Sequence, residues 1–189
     1  MTLPTTRADL VQAVQEGHSF DFHVFFGQNP IAATGADVES NFLSQAFPAH
    51  FVVDGKRYAT AEHYMMAQKA YLFGDSVIGD RIVETNDPNE AKALGRQAQG
   101  FNAELWTAHR STIVETGNRA KFSEPANAHL KALLLTTGSK VLVDATPTDK
   151  LWATGLSSES PDVVIPDKWP GLNLLGFALM SVRSSLAQE

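Results

Sequence analysis

Cysteine is absent from the chain. Its absence removes disulfides, thiolate metal ligands and a thiol nucleophile together, and it fits a reducing compartment, so a cytoplasmic location is expected. The six histidines, His18, His23, His50, His63, His109 and His129, show no close spacing suited to zinc. Neither a Walker nor a dinucleotide-type glycine loop occurs, and no Gly-x-Ser-x-Gly elbow is present. NTP hydrolysis, hydride transfer and serine-hydrolase chemistry are therefore disfavoured, and neither a cofactor nor a metal is expected. No apolar run approaches the roughly 20 residues that cross a bilayer, and the N-terminus lacks the regions of a signal peptide, so no membrane role is expected. Positive charge is also scarce. Fifteen basic against 21 acidic residues give a net charge of −6, which opposes nonspecific attraction to a phosphate backbone.

What is present suits one ordinary core. A chain of 189 residues with 43% hydrophobic content falls in the size range of a single domain, expected over 1–189 with its core at about 20–186. Thr6 can cap a first helix to about Glu16, where Gly17 stops it, and Phe20 to Phe26 alternates as a strand does. Asp54-Gly55 marks a hairpin between Phe51–Val53 and Lys56–Tyr58. Thr60 caps a helix to about Phe73, and Ser76 to Glu84 follows the same period. Asp87-Pro88-Asn89-Glu90 opens a third helix with a cap, a first-turn proline and a reciprocal acid. Asn102 begins another, expected to end at Gly117, and Ala126 to Leu135 is also helical in pattern. Lys140 to Ala145 is a buried-strand pattern, and Leu174 to about Leu186 closes the chain as an amphipathic helix. The expected class is α+β, helix-rich around a small β-sheet. Gly27 to Phe47, Thr146 to Leu151 and Leu156 to Trp169 remain as long loops, either binding walls or plain surface excursions.

The segment from Thr60 to Phe73 carries the strongest chemical signal. At about 100° per residue, Ala61, Leu72, Met65, Met66 and Phe73 share one arc of roughly 140°, with Glu62 and Lys69 in its middle. Seven residues is nearly two turns, so their Cα atoms are about 10 Å apart but differ in direction by only about 20°. Two ions on an apolar arc need a reason, and catalysis in one pocket is such a reason. The competing reading makes Glu62 a first-turn acid favoured by the helix dipole and Lys69 a snorkelling stem.

Other candidates stand on less. Asp149, on a short loop with Trp152, offers a second acid or an ordinary Asx turn. Trp106 and Trp152 offer faces for a nucleobase, although Trp106 also completes an apolar helix face with Ile113 and Val114. Arg96 and Lys121 can clamp phosphate or ribose hydroxyls, or can be solvated surface charge. Asn173 can combine helix capping with a ligand contact. Phe26 and Gly27, at a strand end, can allow close approach of an adenine or sugar, or serve as core and turn.

Glu62-His63-Tyr64-Met65-Met66-Ala67-Gln68-Lys69 resembles the signature helix of the NADAR superfamily. The resemblance continues through Ser44-Gln45 with Pro48, Asp54-Gly55, Ala91-Lys92-Ala93-Leu94-Gly95-Arg96, Trp106, Ala120-Lys121-Phe122, Asp149 with Trp152, and Asn173-Leu174-Leu175-Gly176. It covers about Phe20 to Leu186. Ala46 stands where an aromatic residue often follows the Ser-Gln pair, and Ala153 stands where glycine is common. The resemblance implies an N-glycosidase fold and activity, with Glu62, Lys69 and Asp149 as its catalytic groups. Phe26, Gly27, Ser44, Gln45, Arg96, Trp106, Lys121, Phe122, Trp152 and Asn173 are the substrate contacts it implies. The implied partner is an ADP-ribose-containing or phosphoribosyl substrate. Removal of ADP-ribose from modified guanine, including on single-stranded DNA, ranks first. Hydrolysis of phosphoribosylaminopyrimidine intermediates of riboflavin synthesis ranks second, and a noncatalytic ADP-ribose sensor third.

Overall fold

The computed structural model describes residues 3–26 and 41–189. Those residues fall into two compact units, one holding the N-terminal residues, 41–44 and 132–189, the other 45–131. Of the expected Gly27–Phe47 loop, residues 27–40 lie outside the described residues, and Phe42 to Phe47 form buried turns rather than a surface excursion.

In the first unit, α1 (Arg7–Gln15) begins where Thr6 accepts a hydrogen bond from Asp9 N–H, and Gly17 turns the chain away at φ 91°. Strand β1 (Phe22–Phe25) pairs in parallel with β4 (Val141–Asp144), Phe22 opposite Val141 and Phe25 opposite Asp144. Val141, Leu142 and Val143 are fully buried, as a near-continuous apolar run in a parallel pair requires. The last helix, α7 (Leu174–Leu186), is buried along most of its length rather than on one stripe. Its approach to β4 depends on Gly176, where a Cβ would lie 2.1 Å from Leu142 O. Backbone cannot swing aside as a side-chain tip can. Gly176→Ala is therefore expected to destabilise the fold by about 3 kcal/mol, read as a lower urea midpoint at unchanged m-value.

The stretch 156–169 is more ordered than a free loop. It winds through 3-10 turns at Pro161–Val164 and Pro166–Lys168, and the buried Trp169 donates its indole N–H to Val163 O at 2.8 Å. Arg7 ties α1 to the second turn by donating to Pro166 O and Asp167 O, each at 2.9 Å. It is scaffold.

In the second unit, β2 (Phe51–Val53) and β3 (Lys56–Tyr58) form the expected antiparallel hairpin. Asp54 and Gly55 take φ 50° and 76°, both positive as this turn demands. Four helices follow: α2 (Ala61–Leu72), α3 (Ser76–Glu84), α4 (Pro88–Gly95) and α5 (Ala103–Ser123). Their core joins Phe51, Tyr58, Tyr64, Ala67, Ile82 and Leu94. Between the hairpin and α2, Tyr58 meets Tyr64 edge-on at 5.0 Å between ring centroids. The fold class is helix-rich α+β as expected, with small sheets. Among the described residues the strands make two separate two-stranded pairs.

Two local expectations are corrected. Helix α5 runs past Gly117 to Ser123, because this glycine makes room for Tyr64. A Cβ there would sit 2.5 Å from Tyr64 Cδ1. At α4, Asp87 caps Asn89 N–H, but Glu90 accepts the Thr85 hydroxyl. Asp87 N–H instead donates to Thr85 Oγ1 at 3.2 Å, so Thr85 stands between the two acids of the expected reciprocal box. The segment 128–136 is α6 (Ala128–Thr136), preceded by a 3-10 turn at Pro125–Asn127.

Candidate functional site

Helix α2 is set in place from its first turn. Thr60 Oγ1 accepts from His63 N–H and lies 2.8 Å from His63 Nδ1, while Glu62 N–H donates to Gln45 O at 2.8 Å. The Gln45 side chain donates to Asn118 Oδ1 at 3.0 Å, and Asn118 in turn donates to Val114 O at 2.9 Å. Gln45, expected to touch substrate, thus spends its amide on α5 and its carbonyl on the turn that carries Glu62. Burial holds the fully enclosed His63 ring down to about 4, so it is neutral near pH 7.

Only one edge of the arc bearing Glu62 and Lys69 meets the main core: Ala61 lies in it and Met66 packs against it. Ala61, Tyr64, Ala67 and Ala70 face the cluster with Phe51 and Tyr58, and the Met65 side of the helix forms a second, partly open face. Alanine and tyrosine weigh little on a hydropathy pattern, which is why the greasier arc looked like the core.

On that second face Glu62 is only 4% exposed, and Lys92 Nζ stands 4.0 Å from its Oε1. Lys69 is half-buried, with Nζ 5.2 Å from the Phe101 ring centroid and 5.7 Å from the Trp106 ring. Burial first and the Arg96 guanidinium second hold the Lys69 ammonium below its ordinary range. Phe101 packs edge-on against Phe73 at 5.2 Å between centroids yet stays 57% exposed. Lys92 and Arg96 stand four residues apart and so share one face of α4. One carboxylate, three basic groups and an open aromatic ring therefore gather on this unit. Sequence reasoning missed Lys92 and Phe101 as site residues. Lys92 was legible from its four-residue spacing to Arg96, whereas nothing local marked Phe101.

Other candidates are placed differently. Trp106 is 8% exposed, which fits packing beside Lys69 more than open stacking. Lys121 is completely buried, its Nζ 5.4 Å from the Phe47 ring and 5.0 Å from the Phe122 ring. Burial holds its ammonium down to about 7. It is no surface clamp, and Phe122, also at 0% exposure, is core. Ser44, in the first unit, is fully buried as well.

Also in the first unit, β1 and β4 end together, and Ala145 N–H donates to Phe25 O at 2.8 Å. Phe26 opens at this end, 40% exposed, and Gly27 lies outside the described residues. Asn173 is no open ligand contact and makes no side-chain cap. At φ 54° and 0% exposure, it accepts from Asp144 N–H and donates to Leu142 O, both at 2.9 Å, pinning β4. Asp149 Oδ1 accepts from Leu151 N–H and Trp152 N–H, both at 2.8 Å, which is the Asx-turn reading. That turn presents a half-buried Trp152. A buried acid passed over at the end of β4 is Asp144, whose Oδ1 accepts the Thr146 hydroxyl at 2.6 Å.

What the second-unit cluster can do is set by its charges. A carboxylate in an apolar wall can stabilise positive charge developing on a sugar or direct a water. An amine made less basic can attack an electrophilic carbon. Paired cations on one helix face can hold phosphate.

Residues 25–187 match the NADAR domain family. N-glycosidase R617 of Acanthamoeba polyphaga mimivirus is 42% identical over 153 residues, covering 78% of this chain and 89% of the viral protein. N-glycosidase YbiA of Escherichia coli strain K12 is 34% identical over 137 residues, covering 72% and 76%. The NMR structure of E. coli YbiA superposes with a TM-score of 0.64 at 29% identity, covering 94% of this chain and 93% of that one. Among the described residues no helix is long and apolar enough to cross a membrane.

Proposed function

The chain belongs to the NADAR domain family, and from that premise we propose that it is an N-glycosidase that removes ADP-ribose from ADP-ribosylated guanine. Relatives named N-glycosidase support the reaction class. The observation that carries the residue assignment is the Lys69 amine, half-buried against aromatic rings on the helix that also bears the enclosed Glu62.

Cleavage of a ribose–base bond builds positive charge at the anomeric carbon and negative charge on the base. Glu62 stabilises the former. The Lys69 Nζ lone pair forms a bond to the anomeric carbon as the carbon–nitrogen bond to the base breaks, and the base leaves with a proton. The ring oxygen then leaves the same carbon and takes a proton, giving an open-chain imine on Lys69. Water, directed by Glu62, adds to the imine carbon and expels the Lys69 amine, returning free enzyme and the sugar aldehyde, which closes to its hemiacetal. Lys92 and Arg96 hold phosphate, and Phe101 offers an exposed face to a base.

The net charge of −6 favours a small nucleotide or a short single-stranded end over duplex DNA. It equally suits a phosphoribosylaminopyrimidine of the riboflavin kind, the second reading. Parallel assays of ADP-ribosylated guanine oligonucleotide and of that pyrimidine separate the two. Faster release from the oligonucleotide is expected. Turnover of the pyrimidine alone overturns the first reading in favour of the second. The lack of cysteine supports a reducing, cytoplasmic setting.

A further inference from the structure

The first unit contains a buried cation that the glycosidase chemistry does not use. Arg183, near the C-terminal end of α7, is 3% exposed. Its Nη1 donates to Thr137 Oγ1 at 2.7 Å, and among the described residues its buried Nη2 has no hydrogen-bond partner. The Thr137 hydroxyl donates onward to Leu134 O at 2.6 Å, so its oxygen is free to receive the guanidinium and fix its direction. Gly138, at φ 58°, bends the chain after Thr137, and Lys140 N–H closes the turn on Thr137 O at 3.1 Å. The Lys140 side chain emerges at the surface beside β1 residue His23, which is half-buried.

Among the described residues, no acid acts on either His23 or Arg183. His23 is held below its ordinary range by burial, then by Lys140, then by Arg183. Arg183 is lowered by burial alone. The nearest acid in sequence, Asp21, is exposed and is not among the groups acting on His23. A buried guanidinium with an unused donor and two further basic groups nearby carries a desolvation cost that an anion would offset. Its planar fork matches the oxygens of a phosphate.

We propose that Arg183, Lys140 and His23, with Thr137 orienting the guanidinium, form a binding site for a tetrahedral oxyanion, a phosphate or phosphate monoester. The site is built from first-unit residues alone and does not depend on the glycosidase assignment.

The test follows the His23 ring by NMR through a pH titration of the whole chain, in chloride and in inorganic phosphate at matched ionic strength, with AMP in a separate arm. Binding is expected to raise the His23 pKa, because an anion favours the imidazolium. Lys140→Gln, at an exposed position, keeps the fold and is expected to weaken phosphate binding several-fold. Arg183→Gln is expected to weaken it by about 10-fold or more, the loss of one charge-assisted hydrogen bond. Tighter binding of AMP assigns the site to nucleotide esters, and tighter binding of inorganic phosphate to the free ion. A His23 titration that ignores both ligands in the folded wild-type chain overturns the proposal. So does an equal phosphate effect in wild type and Lys140→Gln.

Discussion

Glu62→Gln is expected to lower kcat by about 10²–10⁴-fold while ligand affinity changes little, the range lost when a positioned acid–base group is removed. The substitution keeps the volume of the side chain and one acceptor oxygen, exchanging the other oxygen for an amide donor, so the wall of α2 should stay packed. What disappears is the negative charge. Glu62 is 4% exposed, and a charge in such surroundings acts through a lower effective dielectric than one in water. Lys92 Nζ stands 4.0 Å from the Glu62 Oε1, so a positive charge already borders the carboxylate that the substitution would neutralise. Measuring kcat by single turnover and ADP-ribose affinity by calorimetry separates the two effects. Unchanged turnover removes Glu62 from the chemistry. Lost binding with intact chemistry makes it a ligand contact, and a pure sensor would show no turnover in either protein.

Local signals carried much of the fold. The hairpin was legible because Asp54-Gly55 must take positive φ, and the helix starts were legible because Thr6, Thr60, Asp87 and Asn102 each cap a backbone N–H within three residues. Features that depend on distant partners were not. Gly117 has the composition of a stop, and only the Tyr64 ring across the helix pair turns it into a packing notch. The buried face of α2 rests on Ala61, Ala67 and Ala70, residues that speak quietly in any hydropathy pattern. Lys121 carries the label of a surface residue, yet its stem and amine lie wholly inside. The same limit applied to the site. Glu62 and Lys69 were visible through helical period. The amides of Gln45 and Asn173 are consumed by Asn118 and by β4, which no local spacing reveals.

Lys69 is the group on which the covalent route depends. Lys69→Arg keeps the charge and removes the nucleophile, and it is expected to reduce turnover on the order of 10⁴-fold or more, as loss of a nucleophile does. A role limited to phosphate attraction would instead raise KM and leave much of kcat intact. The pH profile gives a second readout. Burial and Arg96 both disfavour the Lys69 ammonium, so its amine becomes free at lower pH than an exposed lysine's, and kcat/KM should climb as pH rises through that lowered pKa. Arg96→Gln removes one of the two causes. The Lys69 pKa then moves up, the acid limb shifts to higher pH, and the rate near neutrality falls even where substrate is saturating. Borohydride added during turnover should reduce the imine and leave the sugar on Lys69, visible as added mass on the peptide that contains it. If trapping fails under conditions that capture a known imine enzyme, while Lys69→Arg retains activity, the amine is a cation for the substrate and water attacks the anomeric carbon directly.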